Sequence, residues 1–214
     1  MKIPSNNYND SNINFSPKVI YYLTIKYVWE SVLVLVTLPL WLPIALLVSI
    51  AVRLDSNGPI LFFQERVGKG GRVFRMIKFR SMKIESEQSG LRYATQNDDR
   101  ITKVGRIIRK FRLDELPQLF QVLTGEMALI GVRPEPKQFV DQYANENPNY
   151  MQRHTFKPGI TGWAQVEYGY AASGNETMEK LEYDLYYTKN ISFALDMLIV
   201  FKTIKVILTG FGSR

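Results

Sequence analysis

Ser31-Val32-Leu33-Val34-Leu35-Val36-Thr37-Leu38-Pro39-Leu40-Trp41-Leu42-Pro43-Ile44-Ala45-Leu46-Leu47-Val48-Ser49-Ile50-Ala51-Val52 is the one long uncharged stretch of the sequence, bounded by Glu30 and Arg53. Its length is about the 20 residues that a helix needs to cross a hydrocarbon core. Pro39 and Pro43 stand near its middle. Each proline removes a helix hydrogen bond and crowds the preceding turn, so a sharp kink or break is expected there. A broken pair of half-helices, each too short to span, can dip into one leaflet and return. A kinked span is the alternative, since prolines also occur in true spans. Lys18 and Lys26 precede the stretch and a basic run from Arg66 to Lys83 follows it, so neither flank resembles a translocated side.

Working outward, Met1 to Pro17 is polar, rich in Asn and without an apolar core of the kind a signal peptide needs. The expected organisation is a flexible tail over residues 1–25, a membrane helix over 26–54 and a folded body over 55–214. The 214 residues, 46% hydrophobic and 22% charged, suit one compact domain with an anchor and exclude wholesale disorder. There are no cysteines, which excludes disulfides and thiolate metal sites. A net charge of +7 points to an anionic partner: nucleic acid, a membrane surface or a phosphorylated substrate.

The body reads as mainly helical with a small β-hairpin. Ser56-Asn57-Gly58-Pro59 signals a turn, and Ile60–Phe63 and Val73–Met82 read as strands joined through Val67-Gly68-Lys69-Gly70-Gly71. Those glycines lack the spacing and the Lys-Ser/Thr end of a phosphate loop. A polar stretch from Glu85 to Asp99 reads as a surface loop. Ile101, Val104, Ile107, Ile108 and Phe111 recur at helical spacing, with Lys103, Arg106 and Lys110 largely opposite. That pattern suits a core-facing stripe under a solvated basic face, or a helix lying on an anionic membrane. A second helix is expected from Asp114 to a stop at Gly125, and further helices over Pro136–Ala144 and Asn175–Lys189. Phe193–Thr209 is apolar but interrupted by Asp196, Lys202 and Lys205, which suits an interfacial or core helix.

His154 is the single histidine, and its neighbours suit a structural role; no His/carboxylate cluster has metal-site spacing. Asp114-Glu115 is the more informative pair. Carboxylates at a helix start, with Arg109, Lys110 and Arg112 just upstream, describe a place for phosphate chemistry, with Mg²⁺ suited to hard oxygen ligands. An Asp cap followed by a first-turn Glu explains the same residues without any chemistry.

Several segments resemble the bacterial sugar transferases, small monotopic phosphoglycosyl transferases. They are Gly58-Pro59-Ile60-Leu61-Phe62-Phe63-Gln64-Glu65-Arg66-Val67-Gly68, Lys78-Phe79-Arg80-Ser81-Met82, Leu113-Asp114-Glu115-Leu116-Pro117-Gln118-Leu119, Gly131-Val132-Arg133-Pro134-Glu135, Lys157-Pro158-Gly159-Ile160-Thr161-Gly162-Trp163-Ala164-Gln165-Val166 and Tyr183-Asp184-Leu185-Tyr186-Tyr187-Thr188-Lys189-Asn190. The resemblance runs from about Lys26 onward with the motifs in family order. It implies a monotopic protein on the cytoplasmic face of the bacterial inner membrane, with a re-entrant first helix broken at a proline. Pro43 is the better match for that proline, and Pro39 shares the break.

It further implies that residues 55–214 form a catalytic domain ending in an interfacial helix. That domain would move a sugar-1-phosphate from a UDP-sugar to polyprenol (undecaprenyl) phosphate, releasing UMP. By resemblance Asp114 is the nucleophile, kept ionised, Asp114 and Glu115 hold Mg²⁺, and Arg109, Lys78, Arg80, Arg133 and Gln165 bind substrate or phosphate. Val132 stands where the family usually has proline. The segment from Glu167 to Ser173 looks closer to initiators of exopolysaccharide or capsule assembly. Implied partners are UDP-sugar, polyprenol phosphate and membrane lipid, with a homo-oligomer left open and no nucleic acid. The rival reading is a non-enzymatic, membrane-anchored basic module binding anionic lipid or nucleic acid. It explains the charge but neither Asp114-Glu115 nor the matched segments.

Overall fold

A computed structural model describes residues 16–83, 98–168 and 174–209, and the side chains of these except at 174–176. Most of the expected tail, the bulk of the Glu85–Asp99 loop and residues 169–173 and 210–214 lie outside them.

The first described elements are α1 (Pro17–Val36) and α2 (Leu38–Asp55), meeting at Thr37. Residues 17–25, expected in the tail, are therefore helical, with Pro17 at the first helical position, where its missing N–H costs nothing. The break also differs from expectation: Pro43 lies inside α2 without interrupting it, and Pro39 sits in the first turn of α2. The chemistry around Thr37 accounts for this. The residue before a proline is pushed away from helical geometry, so Leu38-Pro39 disfavours continuation. In an unbroken helix Val34 would bond the Leu38 N–H; instead its carbonyl accepts the Trp41 indole Nε1 at 3.1 Å. Thr37 Oγ1 donates to the Leu33 carbonyl at 2.7 Å.

Both arms are tied to the same body. In α1, Lys26 pairs with Glu30 at 2.7 Å and with Asp196 of α8 (Phe193–Thr209) at 2.6 Å, and all three are at most 1% exposed. Glu30 accepts the N–H groups of Leu129 and Ile130, each at 3.1 Å. Asp196 accepts the hydroxyls of Tyr22 and Tyr187. Buried charges persist only when paired and hydrogen-bonded, and these are. At the other end Asp55 accepts the Val104 N–H, and Arg80 donates to the Ser56 and Asn57 carbonyls. The outward side of the pair is apolar: Val36 is 70% exposed, Leu47 68% and Leu54 82%. By length and composition each helix could cross a membrane.

The hairpin joins β1 (Leu61–Val67) to β2 (Val73–Phe79), antiparallel with Leu61 opposite Phe79 and Val67 opposite Val73. Its turn uses positive φ at Gly70 and Gly71, which glycine adopts without a Cβ clash. Met76 and Phe79 pack with Trp41, Ala45, Val48 and Val52 of α2 and with Ile108 of α3 (Lys103–Lys110). On α3, Ile108 is buried but Ile107 and Phe111 face outward beside the exposed Lys103, Arg106 and Lys110, so the apolar stripe is only partly core-facing.

A second pairing was not foreseen. β3 (Ala128–Ile130) runs parallel to β4 (Gly159–Thr161). The strands approach so closely that a Cβ on Gly159 would lie 2.1 Å from the Gly131 nitrogen, which explains the glycines in both flanking motifs. The remaining helices are α4 (Gln118–Leu123), α5 (Lys137–Glu146), α6 (Trp163–Glu167) and α7 (Gly174–Lys189). The described fold is thus mainly helical with two small two-stranded sheets.

Candidate active site

Thr102 caps α3, its Oγ1 accepting the Gly105 N–H at 2.9 Å. The chain then reverses at Arg112, which adopts the left-handed region (φ 59°), and enters a 3₁₀ turn at Leu113–Glu115. Asp114 is therefore not the cap of a long helix, as the sequence suggests. Pro117 caps α4, which begins only at Gln118 and ends before Gly125 at φ 81°. The tight turn carries two adjacent carboxylates inward: Asp114 is 8% exposed and Glu115 6%.

Cations from three elements converge on Glu115. Arg133, after β3, forks its carboxylate with Nη2 at 2.7 Å and Nη1 at 3.3 Å. Lys78 of β2 stands at 3.5 Å and Arg112 at 3.9 Å. Burial alone would raise the Glu115 pKa, but Arg133 and Lys78, then the Arg133 hydrogen bond and Arg112, outweigh it and hold the carboxyl far below the usual range. Asp114 goes the other way. Burial, then the charge of Glu115, push it up, and Lys78, Arg109 and Arg133 offset this only in part. Desolvation thus works against the ionisation expected of Asp114, and the neighbouring cations work for it. Burial also brings Lys78 down to about 8, against the pull of Glu115.

Two adjacent carboxylates, one of them disfavoured as a bare anion, are hard-oxygen donors of the kind that suit Mg²⁺. Among the described residues no group of three or more His, Asp or Glu side chains offers a complete protein cage.

Arg109, in the last turn of α3, acts on Asp114 through its charge. Arg80 does not join the group: β2 ends at Phe79, so strand alternation no longer carries Arg80 to the side of Lys78. Its buried guanidinium closes the α2–β1 turn at 2.6 Å from both the Ser56 and Asn57 carbonyls. Gln165 donates to the Ile160 carbonyl at 3.1 Å and serves the β4–α6 turn. His154 is 3% exposed, and burial, then Arg153, hold its pKa well below the ordinary value, so it is a neutral interior residue.

The bracing of Arg133 was missed by sequence reasoning. Arg153 donates to the Arg133 carbonyl at 3.0 Å and to Asp184 at 2.6 and 3.1 Å. Glu135 is held between Lys180 at 3.0 Å and Arg66 at 3.5 Å, and Arg66 also donates to the Pro134 carbonyl. Lys180 and Asp184 lie one helical turn apart on α7, so one helix face fixes both ends of the Arg133–Glu135 loop.

Burial acts to raise Glu135, but Lys180, Arg153 and Arg66 hold it down at about 2. Its unfolded value is about 4.3, so it contributes stability above that pH and loses it as pH falls toward 2. Glu135→Gln should lower stability at pH 7 by on the order of 2–3 kcal/mol and flatten the acid limb below pH 4.5. Thermal unfolding against pH reads this; parallel acid limbs would contradict it.

The chain is similar in sequence to curated proteins. One is the UDP-N-acetylgalactosamine-undecaprenyl-phosphate N-acetylgalactosaminephosphotransferase of Aeromonas hydrophila, 53% identical over 193 residues covering 90% of this chain and 46% of that protein. The UDP-glucose:undecaprenyl-phosphate glucose-1-phosphate transferase of Escherichia coli is 44% identical over 178 residues, 80% of this chain and 38% of its own. The chain thus spans less than half the length of these two relatives. A shorter protein of Bacillus subtilis, a putative undecaprenyl-phosphate N-acetylgalactosaminyl 1-phosphate transferase, is 45% identical over 142 residues, 66% of this chain and 79% of that one. With the bacterial sugar transferase profile matching residues 21–210, almost the whole described fold, the chain belongs to the bacterial sugar transferase family.

Proposed function

We propose that this chain transfers a sugar-1-phosphate from a UDP-sugar to a polyprenol phosphate through a phosphosugar-aspartyl intermediate, an acyl phosphate of Asp114. The observation that carries the reading is the buried Asp114-Glu115 pair ringed by Arg133, Lys78 and Arg112, in a chain of this family. An Asp114 carboxylate oxygen attacks the β-phosphorus; the bond from that phosphorus to the bridging oxygen breaks, and the oxygen leaves with UMP. A phosphate oxygen of the polyprenol phosphate then attacks the same phosphorus, the bond to Asp114 breaks, and the carboxylate is restored. The covalent intermediate splits one difficult transfer into two easier steps, with UMP leaving before the anionic acceptor attacks.

Arg133, fixed by Glu115 and by Arg153 at its carbonyl, and Lys78 offset charge on the phosphates without reorganising. Mg²⁺ held by Asp114, Glu115 and the donor would supply further charge neutralisation. The printed names of the relatives make UDP-N-acetylgalactosamine and UDP-glucose the first donors to try. The product would serve as the first membrane step of exopolysaccharide, capsule or other glycan assembly. Purified protein given polyprenol phosphate, Mg²⁺ and a panel of UDP-sugars should release UMP from at least one; release from none contradicts the reading.

We read the chain as monotopic at the cytoplasmic face, α1 and α2 dipping into one leaflet. Supporting this are the break at Thr37, the attachment of both arms to one body and the buried charged trio that ties α1 to α8. The exposed Ile107 of α3, Phe111 just after it, and Phe201 and Leu208 of α8 suit the same interface. Pro43→Ala should leave topology unchanged, because the break lies at Thr37 and tertiary contacts hold both arms. Impermeant labelling of cysteines placed before Lys18 and between residues 85 and 99 tests both points. Both sites should stay protected in intact cells; labelling of the first site alone would mean a span.

A further inference from the structure

α3 starts beside the end of α2. Asp55, the last residue of α2, accepts the Val104 N–H at 2.9 Å, and the two residues before it, Arg53 and Leu54, are exposed. One side of α3 is pressed against the body: Ile108 is buried, and a Cβ on Gly105 would lie 2.1 Å from the Ser81 carbonyl oxygen. The opposite side is turned out. Lys103, Arg106, Ile107 and Lys110 follow the i, i+3, i+4, i+7 spacing of a single helix face, and all four are exposed. The two edges of that face differ in chemistry. Arg106, Lys110 and Lys103 form one edge; Ile107, 57% exposed, and Phe111, 44% exposed and one turn on, form the other. None of the three cations pairs with a carboxylate among the described residues, and Lys110 stands 5.6 Å from the Phe111 ring. Cations alone suit any polyanion. Cations flanked by bare apolar side chains on one helix face suit a bilayer surface, where phosphates lie over acyl chains.

We propose that α3 is a second membrane contact, seated on anionic phospholipid headgroups, with Lys103, Arg106 and Lys110 at the phosphates and Ile107 and Phe111 among the upper acyl chains. The inference rests on the monotopic reading above. In that reading α1 and α2 hold the protein to any bilayer, so a reporter on α3 itself is needed. The absence of native cysteines allows a single environment-sensitive fluorophore on Ile107→Cys or, as the anchor control, on Leu47→Cys. Full-length protein is reconstituted into phosphatidylcholine vesicles, with or without phosphatidylglycerol, that contain a lipid with a quencher on its chains. The Leu47 probe should be quenched in both. The Ile107 probe should be quenched only with phosphatidylglycerol, and high salt should release it. Lys103→Gln, Arg106→Gln and Lys110→Gln together should lower the ratio of lipid-buried to water-exposed Ile107 probe roughly 100-fold, about fivefold for each cation near an anionic surface. Equal quenching at 107 in neutral vesicles, or quenching that salt leaves unaltered, overturns the anionic contact. So does quenching in neutral vesicles that appears only when polyprenol phosphate is added, which would make α3 an acceptor site. A quenched Leu47 probe with the Ile107 probe in water throughout removes α3 from the bilayer and leaves the monotopic reading standing. An unquenched Leu47 probe would sink the monotopic reading and the inference with it.

Discussion

Asp114→Asn should fold as wild type does and lose at least about a thousandfold of turnover. Asparagine keeps the size of the side chain and can hold the 3₁₀ turn, but it offers no anionic oxygen to attack phosphorus. Burial and the Glu115 charge both disfavour the ionised aspartate, so removing that charge should not lower the melting temperature. Glu115→Gln should behave differently. It strips Arg133 of its forked partner and Lys78 of its nearest carboxylate, leaving buried cations uncompensated. We expect a loss of roughly 2–4 kcal/mol of stability together with a large loss of turnover. UMP release and thermal unfolding, measured on both variants, separate the two roles. Substantial turnover by Asp114→Asn would remove it as the nucleophile.

Lys26→Met should be the most destabilising single change in the helical arms. It leaves Glu30 and Asp196, each fully buried, without their shared cation, and breaking such a group costs about 3–5 kcal/mol. The effect should reach the site, because Glu30 holds the N–H groups of Leu129 and Ile130, three residues before Arg133. Adding Glu30→Gln and Asp196→Asn should recover part of the loss, since the uncompensated charges are then gone. Chemical unfolding in detergent reads both; a cost under about 1 kcal/mol for Lys26→Met would mean that water reaches the trio.

What could be read from the residues follows their range of interaction. The hairpin, α8 and the stop at Gly125 depend on local patterning and turn chemistry; α8 and the stop are where the sequence puts them, and the hairpin forms with β1 running on to Val67 and β2 ending at Phe79. Lys78 and Arg133, singled out as cations from separate motifs, both reach Glu115. The break was misplaced because two prolines four residues apart are equally disruptive on paper; the Trp41 indole, which seals the Val34 carbonyl, has no local signature. Lys26 and Glu30 read as flanking charges of an apolar helix, yet their partner Asp196 lies 170 residues from Lys26. Arg153 and Asp184 are likewise joined only by the fold, 31 residues apart. Arg80 sits two residues after Lys78 in one motif, and only the end of β2 between them separates a turn clamp from a site cation.

The most direct measurement is the mass of the protein after incubation with a turned-over UDP-sugar and Mg²⁺ in the absence of polyprenol phosphate. The peptide bearing Asp114 should gain one sugar-phosphate, lose it on addition of polyprenol phosphate, and gain nothing in Asp114→Asn. An adduct on another residue, or turnover in Asp114→Asn comparable to wild type, would contradict the aspartyl mechanism.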